Sequence, residues 1–198
     1  MRTSYRFLFG SAVSAMLFLG GCATKPVATI SLDPYTPTPA AFQKSGTIYI
    51  SGIVDKRKNK SVVGEVLKDG KVVTVVKTDV DLAKWFKQAI DAALKEEGCS
   101  ITPKSTHHPK IARVYIRIDQ AEAKLDRDKL TGENLEAKVY VTLFMRQGKS
   151  ERIIKKIGLT QRKWVPPLST ESTIKEYLQQ TLDEVVDMVI ENIDSYRF

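Results

Sequence analysis

The chain is poor in the residues from which active sites are usually assembled. It has two cysteines and two histidines in 198 residues, and the histidines, His107 and His108, are neighbours beside Pro109. Adjacent positions suit a shared metal or catalytic role poorly unless other ligands arrive from elsewhere. There is no HExxH, no CxxC, no glycine-rich phosphate loop and no serine in a GxSxG setting. These absences argue against an enzyme, and no catalytic residue, cofactor or metal is expected. A long apolar run is also missing. The longest stretch, Phe7 to Leu19, would be about 20 Å long as a helix, short of the ~20 residues needed to cross a bilayer.

That short run has a different use. Arg2 and Arg6 precede it, and Leu19-Gly20-Gly21-Cys22 follows it. A basic start, an apolar stretch and small residues before a cut form a secretory signal. A cysteine directly after the small pair resembles the lipobox of bacterial lipoprotein precursors. The resemblance implies cleavage before Cys22, lipidation of that cysteine and a membrane held through the N-terminal lipid. Ala23, rather than Asp, follows the cysteine, which in the sorting rule of such lipoproteins implies the outer membrane, with the domain facing the periplasm. Three acyl chains at ~0.8 kcal/mol per buried methylene make release negligible.

With Cys22 consumed, Cys99 has no intramolecular partner. It reads as a small buried residue at a helix-to-strand junction, with an intermolecular bridge as the alternative. The full chain carries a formal charge of +8, and loss of Arg2 and Arg6 with the signal lowers that by two. A basic excess suits an anionic envelope and a protein or anionic glycolipid partner there, not nucleic acid, though charge alone names no partner. Nothing in the sequence sets the oligomeric state.

Three parts follow: a signal over 1–21, the lipidated cysteine and a tether over 22–46, and one domain over 47–198. Pro26, Pro34, Pro37 and Pro39 mark the tether; its competing reading is that Val27 to Leu32 docks as an edge strand. Thr47 to Val54 predicts a central strand, with Gly52 hinting at a bulge or close approach. The basic run Asp55-Lys56-Arg57-Lys58-Asn59-Lys60 reads as a solvated loop, with a phosphate-binding patch as the alternative. Two β-rich runs around Asp69-Gly70 predict a hairpin. Thr78 to Glu97 predicts a helix capped by Thr78, with Leu82, Trp85, Phe86, Ala89, Ile90, Ala93 and Leu94 on one face and Gly98 as the stop.

Period-two alternation then predicts strands over Ile111 to Ala121, Leu135 to Arg146 and Arg152 to Trp164. A last helix after Pro166-Pro167, with Thr170 or Ser172 as its cap, carries Ile174 to Ile193 inward and acidic residues from Glu171 to Asp194 outward. The fold class expected is α+β, an antiparallel sheet of about four main strands with two helices packed on one face. The other face would present Tyr49, Arg113, Tyr115, Arg117, Lys138, Tyr140 and Phe144, an aromatic and basic set suited to stacking and to phosphate or carboxylate contacts. An ordinary half-exposed sheet is the plainer alternative.

The lipobox, TIYISGIVDKR, VVTVVKTDVDLAKWF and the final apolar helix together resemble the YajG-type lipoproteins, uncharacterised envelope proteins of Gram-negative bacteria. The resemblance covers essentially the whole mature chain and rests on Asp55, Arg57, Thr74, Asp81 and Leu82. It implies an outer-membrane lipoprotein with no established activity. Cys99 and the lysine-rich loop around Arg57 depart from the pattern. The leading expectation is therefore a non-enzymatic binding or assembly accessory. The order of elements is also similar to LptE-type lipoproteins, which makes a lipopolysaccharide-binding assembly factor an alternative by analogy of fold. A peptidoglycan-active enzyme is the weaker one.

Overall fold

A computed structural model describes residues 25–39, 46–103, 111–129, 134–148, 150–166 and 168–196. The signal, Cys22 and the His107-His108 pair lie outside them. The elements are β1 (Val27–Ile30), β2 (Thr47–Asp55), β3 (Val62–Lys68), β4 (Lys71–Thr78), α1 (Leu82–Glu96), β5 (Ser100–Ile101), β6 (Ile111–Asp126), β7 (Leu135–Gln147), β8 (Ile153–Lys163) and α2 (Glu171–Ser195).

The expected four-stranded antiparallel sheet with helices on one face is overturned. The described strands form one eight-stranded mixed sheet, in which β1–β4, β2–β5, β2–β6 and β3–β6 are parallel and β3–β4, β6–β7 and β7–β8 antiparallel. The cause is the length of β6. Its 16 residues span about 50 Å at ~3.3 Å per residue, long enough for two strands end to end. β2 pairs with its first half, from Ile111 to Ile118, and β3 with its last residues, from Ala123 to Asp126. Alternation marks which face a residue occupies but does not distinguish a parallel neighbour from an antiparallel one.

A register shift between Ile118 and Gln120 explains why the predicted strand stopped short. The bulge at Asp119 exchanges the odd and even faces, so Ala121, Ala123 and Leu125 continue the buried row begun by Val114, Ile116 and Ile118. The equivalent row on β7 is Leu135, Ala137, Val139, Val141, Leu143 and Met145. α2 packs against β6, β7 and β8 and touches β1, whereas α1 lies against β2 and α2.

The two helices bury the apolar residues their spacing predicts, from Leu82 to Leu94 and from Ile174 to Ile193. The caps differ from expectation. Asp81, not Thr78, caps α1 by accepting the Lys84 amide, while Thr78 Oγ1 accepts the Val80 amide in the turn before it. Thr170 occupies the cap of α2 without a side-chain hydrogen bond to the backbone. Asp194, expected outside, is buried at the end of α2, and Cys99 is buried at the α1–β5 junction.

The proposed tether is anchored to the domain over its described part. Val27–Ile30 pairs with Val75–Thr78 as an edge strand, and Leu32 is buried. The next residues form a strap across both helices. Trp85 Nε1 donates to the Asp33 carbonyl at 2.8 Å, the Asp33 amide donates to Gln179, and Tyr35 Oη donates to Asp187 at 2.5 Å. Prolines do not oppose this arrangement, because β1 lies at an edge and contains none.

A candidate binding face on the sheet

Lys56, Lys58 and Lys60 of the basic run after β2 are exposed, as expected of a solvated loop, but Arg57 is not. Arg57 and Asp55 are 7% and 5% exposed and form an ion pair at 2.8 Å. The Arg57 guanidinium also donates to the carbonyls of Val62, Ala121 and Lys60, and its amide donates to Asp55. The planar five-donor fork of arginine fits this many acceptors. The pair clamps the β2–β3 connection onto the point where β6 passes from β2 to β3. Its role is architectural, since no donor of the fork is left pointing outward to a ligand.

The predicted platform separates into two parts. Tyr49, Arg113, Tyr115, Arg117 and Phe144 come together where β6 starts and β7 ends. Tyr115 and Phe144 are direct cross-strand partners with ring centroids 5.5 Å apart. Arg113 lies over the Tyr49 ring at 5.6 Å and Arg117 over Phe144 at 5.7 Å, within cation–π range. Ser51 is the extra residue of a bulge between Ile50 and Gly52, and Gly52 lets the Tyr115 ring approach, at 3.4 Å from where a β-carbon would stand.

Lys138 and Tyr140 do not join this cluster. They lie farther along the same face, where Glu136 bridges Lys138 at 2.5 Å and Arg162 at 2.6 Å. The Lys138 ammonium, followed by Arg162, holds the Glu136 carboxyl below its usual range. Tyr140 lies over Gly158, where a β-carbon would meet its ring at 2.1 Å, and bonds Thr160. This half of the face is internally neutralised.

Sequence reasoning missed three members of the first half. Arg152 lies 4.3 Å over Phe144, Ile154 is 57% exposed opposite Phe144, and exposed Arg146 is opposite Arg113. Arg152 opens the predicted strand over Arg152 to Trp164, whereas in the structure it lies just before β8. Ile154 gave a signal: as an apolar residue out of phase with Ile157, it belongs to the outward row. Arg117 is shared with Asp119 at 2.6 Å, whereas Arg113 and Arg152 form no ion pair with a described acidic residue. The result is a half-buried aromatic and aliphatic floor ringed by guanidinium groups held over its rings, an arrangement that can seat a group combining negative charge with apolar surface.

Elsewhere, Glu97, Cys99 and Asp194 place one possible ligand atom each within 4.8 Å of one another. They are where α1, β5 and α2 meet, and all three have other interactions. No helix among the described residues is long and apolar enough to cross a membrane.

A family model described as uncharacterized lipoprotein matches residues 35–193. The chain belongs to that family. Lipoprotein membership agrees with the lipobox and brings no activity with it. No curated protein matches the sequence. Among solved structures, a Xanthomonas campestris protein is similar at a TM-score of 0.55 and 11% identity, over 83% of this chain and 92% of that one. An uncharacterized protein is similar at 0.56 and 9%, over 83% and 99%. At such identities the likeness is one of fold.

Proposed function

We propose that this lipoprotein is a non-enzymatic binding accessory of the outer membrane, held by lipidated Cys22, that presents its open sheet face to an anionic partner in the periplasm. The observation that carries this reading is the floor of Tyr49, Tyr115, Phe144 and exposed Ile154, with Arg113 and Arg152 over its rings and in no ion pair with a described acidic residue. Guanidinium groups fixed over aromatic rings are already ordered, so a carboxylate or phosphate binds them with little further loss of side-chain freedom. The apolar floor contributes area that charge alone would not. The lipobox, the family and the YajG-type segment TIYISGIVDKR support the anchor and the compartment.

Photocrosslinking in intact cells from a probe at Ile154 tests the reading. The expected result is a discrete crosslinked partner that disappears when Arg113→Glu and Arg152→Glu are combined. A crosslink pattern unchanged by the double reversal in folded protein would overturn it.

A further inference from the structure

The two ends of the sheet differ, and the chain enters at only one of them. β1 runs parallel to β4, with Val27 opposite Val75, so the residues before it approach the β3–β4 turn at Lys68–Lys71. Lys25 is the first described residue, three positions from Cys22, and three extended residues span only about 10 Å. A lipid on Cys22 therefore has no slack to hold the domain away from the bilayer.

The end facing that anchor has the composition of a membrane contact. Lys68 and Lys71 are exposed in the hairpin turn, which Asp69 and Gly70 form at φ of 50° and 67°. The amide of Gly70 bonds Asp128, which brings the turn beside Lys129, also exposed. Where β8 leaves the sheet, Trp164 is 51% exposed and Leu168 is 91% exposed. Arg127 ties this segment to the same end by donating to the Ser169 carbonyl at 3.2 Å. Asp69 and Asp128 lie within the rim, and the lysines outnumber them.

We infer that this end of the sheet rests on the bilayer that holds the anchor, with Trp164 and Leu168 entering the interface and Lys25, Lys68, Lys71 and Lys129 meeting anionic headgroups. The inference depends on the lipid-anchor reading of Cys22 above. Tryptophan favours the level of the headgroups, and each nearby lysine adds attraction to an anionic surface. Such contacts are weak for a free protein, but a short tether makes them intramolecular, at an effective concentration in the millimolar range. One consequence follows for the binding face. Tyr115 is 11 residues up β6 from Asp126, roughly 35 Å along the strand, so the aromatic and basic cluster is held out from the membrane and faces the periplasm.

The lipidated chain, reconstituted in vesicles of phosphatidylcholine with 30% phosphatidylglycerol and brominated acyl chains, gives a direct test by tryptophan fluorescence. Trp85 is 3% exposed, so quenching reports on Trp164. The expected result is clear quenching, abolished in Trp164→Phe and at least halved in Lys68→Glu/Lys71→Glu, with every variant still pelleting with the vesicles. Protein that pellets without quenching, or quenching unaffected by the lysine reversals, overturns the inference and leaves the anchor intact. Protein that fails to pellet overturns the anchor reading instead. Should Trp164→Phe not fold, a nitroxide on Leu168→Cys replaces it: lipid-like accessibility to oxygen supports the contact, and aqueous accessibility to a nickel chelate overturns it.

Discussion

Arg57 and Arg113 show how differently one residue type serves two regions of this protein. Arg57 lies in the densest basic run of the chain, yet it is almost fully covered and spends its donors on Asp55 and three backbone carbonyls. Arg113 stands in an unremarkable alternating strand and rests over a tyrosine ring, facing outward. One arginine inside a dense basic run became architecture, while Arg113 and Arg117, four apart on β6, joined by Arg152 just ahead of β8, made the patch. Local charge density is thus a poor guide to a binding surface; the number of acceptors the fold already supplies is a better one.

Breaking the clamp should have the largest effect. Asp55→Ala leaves a buried guanidinium without its carboxylate, a change that costs about 3–5 kcal/mol. At ~2–4 °C per kcal/mol for a chain of this size, thermal unfolding followed by circular dichroism should fall by roughly 10 °C. A fall of a degree or two would mean that the clamp is not structural.

The next test concerns the crossing that the clamp secures. A β-carbon on Gly64 would stand 2.8 Å from the Ala123 carbonyl oxygen and 3.2 Å from Ile174. Backbone cannot yield as a flexible side chain does, so Gly64→Ala should lose about 1–3 kcal/mol in urea unfolding. The same change at Gly158 would put a β-carbon 2.1 Å from the ring of Tyr140, which is partly exposed and must swing outward to make room.

A third variant asks what happens to a partly covered acid without a clamp. Burial, together with the Asp187 and Asp33 carboxylates, pushes the Asp183 carboxyl up to about 6, against a hydrogen bond from Gln179. The folded state therefore holds this proton more tightly than the unfolded one, and the resulting stability is lost as pH rises from about 4 through 6. Asp183→Asn should gain on the order of 1 kcal/mol at pH 7.5, after allowance for solvent screening, and nothing at pH 4. Equal gains at both pH values would contradict this origin.

The smallest effect on folding belongs to the patch. Arg113→Glu with Arg152→Glu removes two cation–π contacts worth ~0.5–1 kcal/mol each at exposed sites, so the melting temperature should move by only a few degrees.

Much of this was legible in the residues because burial imposes a period. The helix faces, the Asp69-Gly70 hairpin, the β6–β7–β8 meander and the buried position of Cys99 all follow from it. Parallel pairing was not legible, since the partners of β6 are decided by its length and by where β2 and β3 meet along it. The bulge at Asp119 hid the second half of that strand. Prolines after Val27–Ile30 favoured a tether, although the residues of β1 itself have acceptable alternation. Five of the seven platform residues do cluster. Lys138 and Tyr140 separate from them because Glu136, two residues earlier on β7, neutralises the first, and cross-strand Gly158 and Thr160, which only register reveals, pack the second.

The most direct test of the central claim, that the outward arginines bind and the buried one builds, compares the Arg113→Glu/Arg152→Glu protein with the parent by crosslinking from Ile154 in intact cells, alongside its melting curve. The account predicts a preserved fold and a lost crosslink. A preserved crosslink in a folded double variant would contradict it.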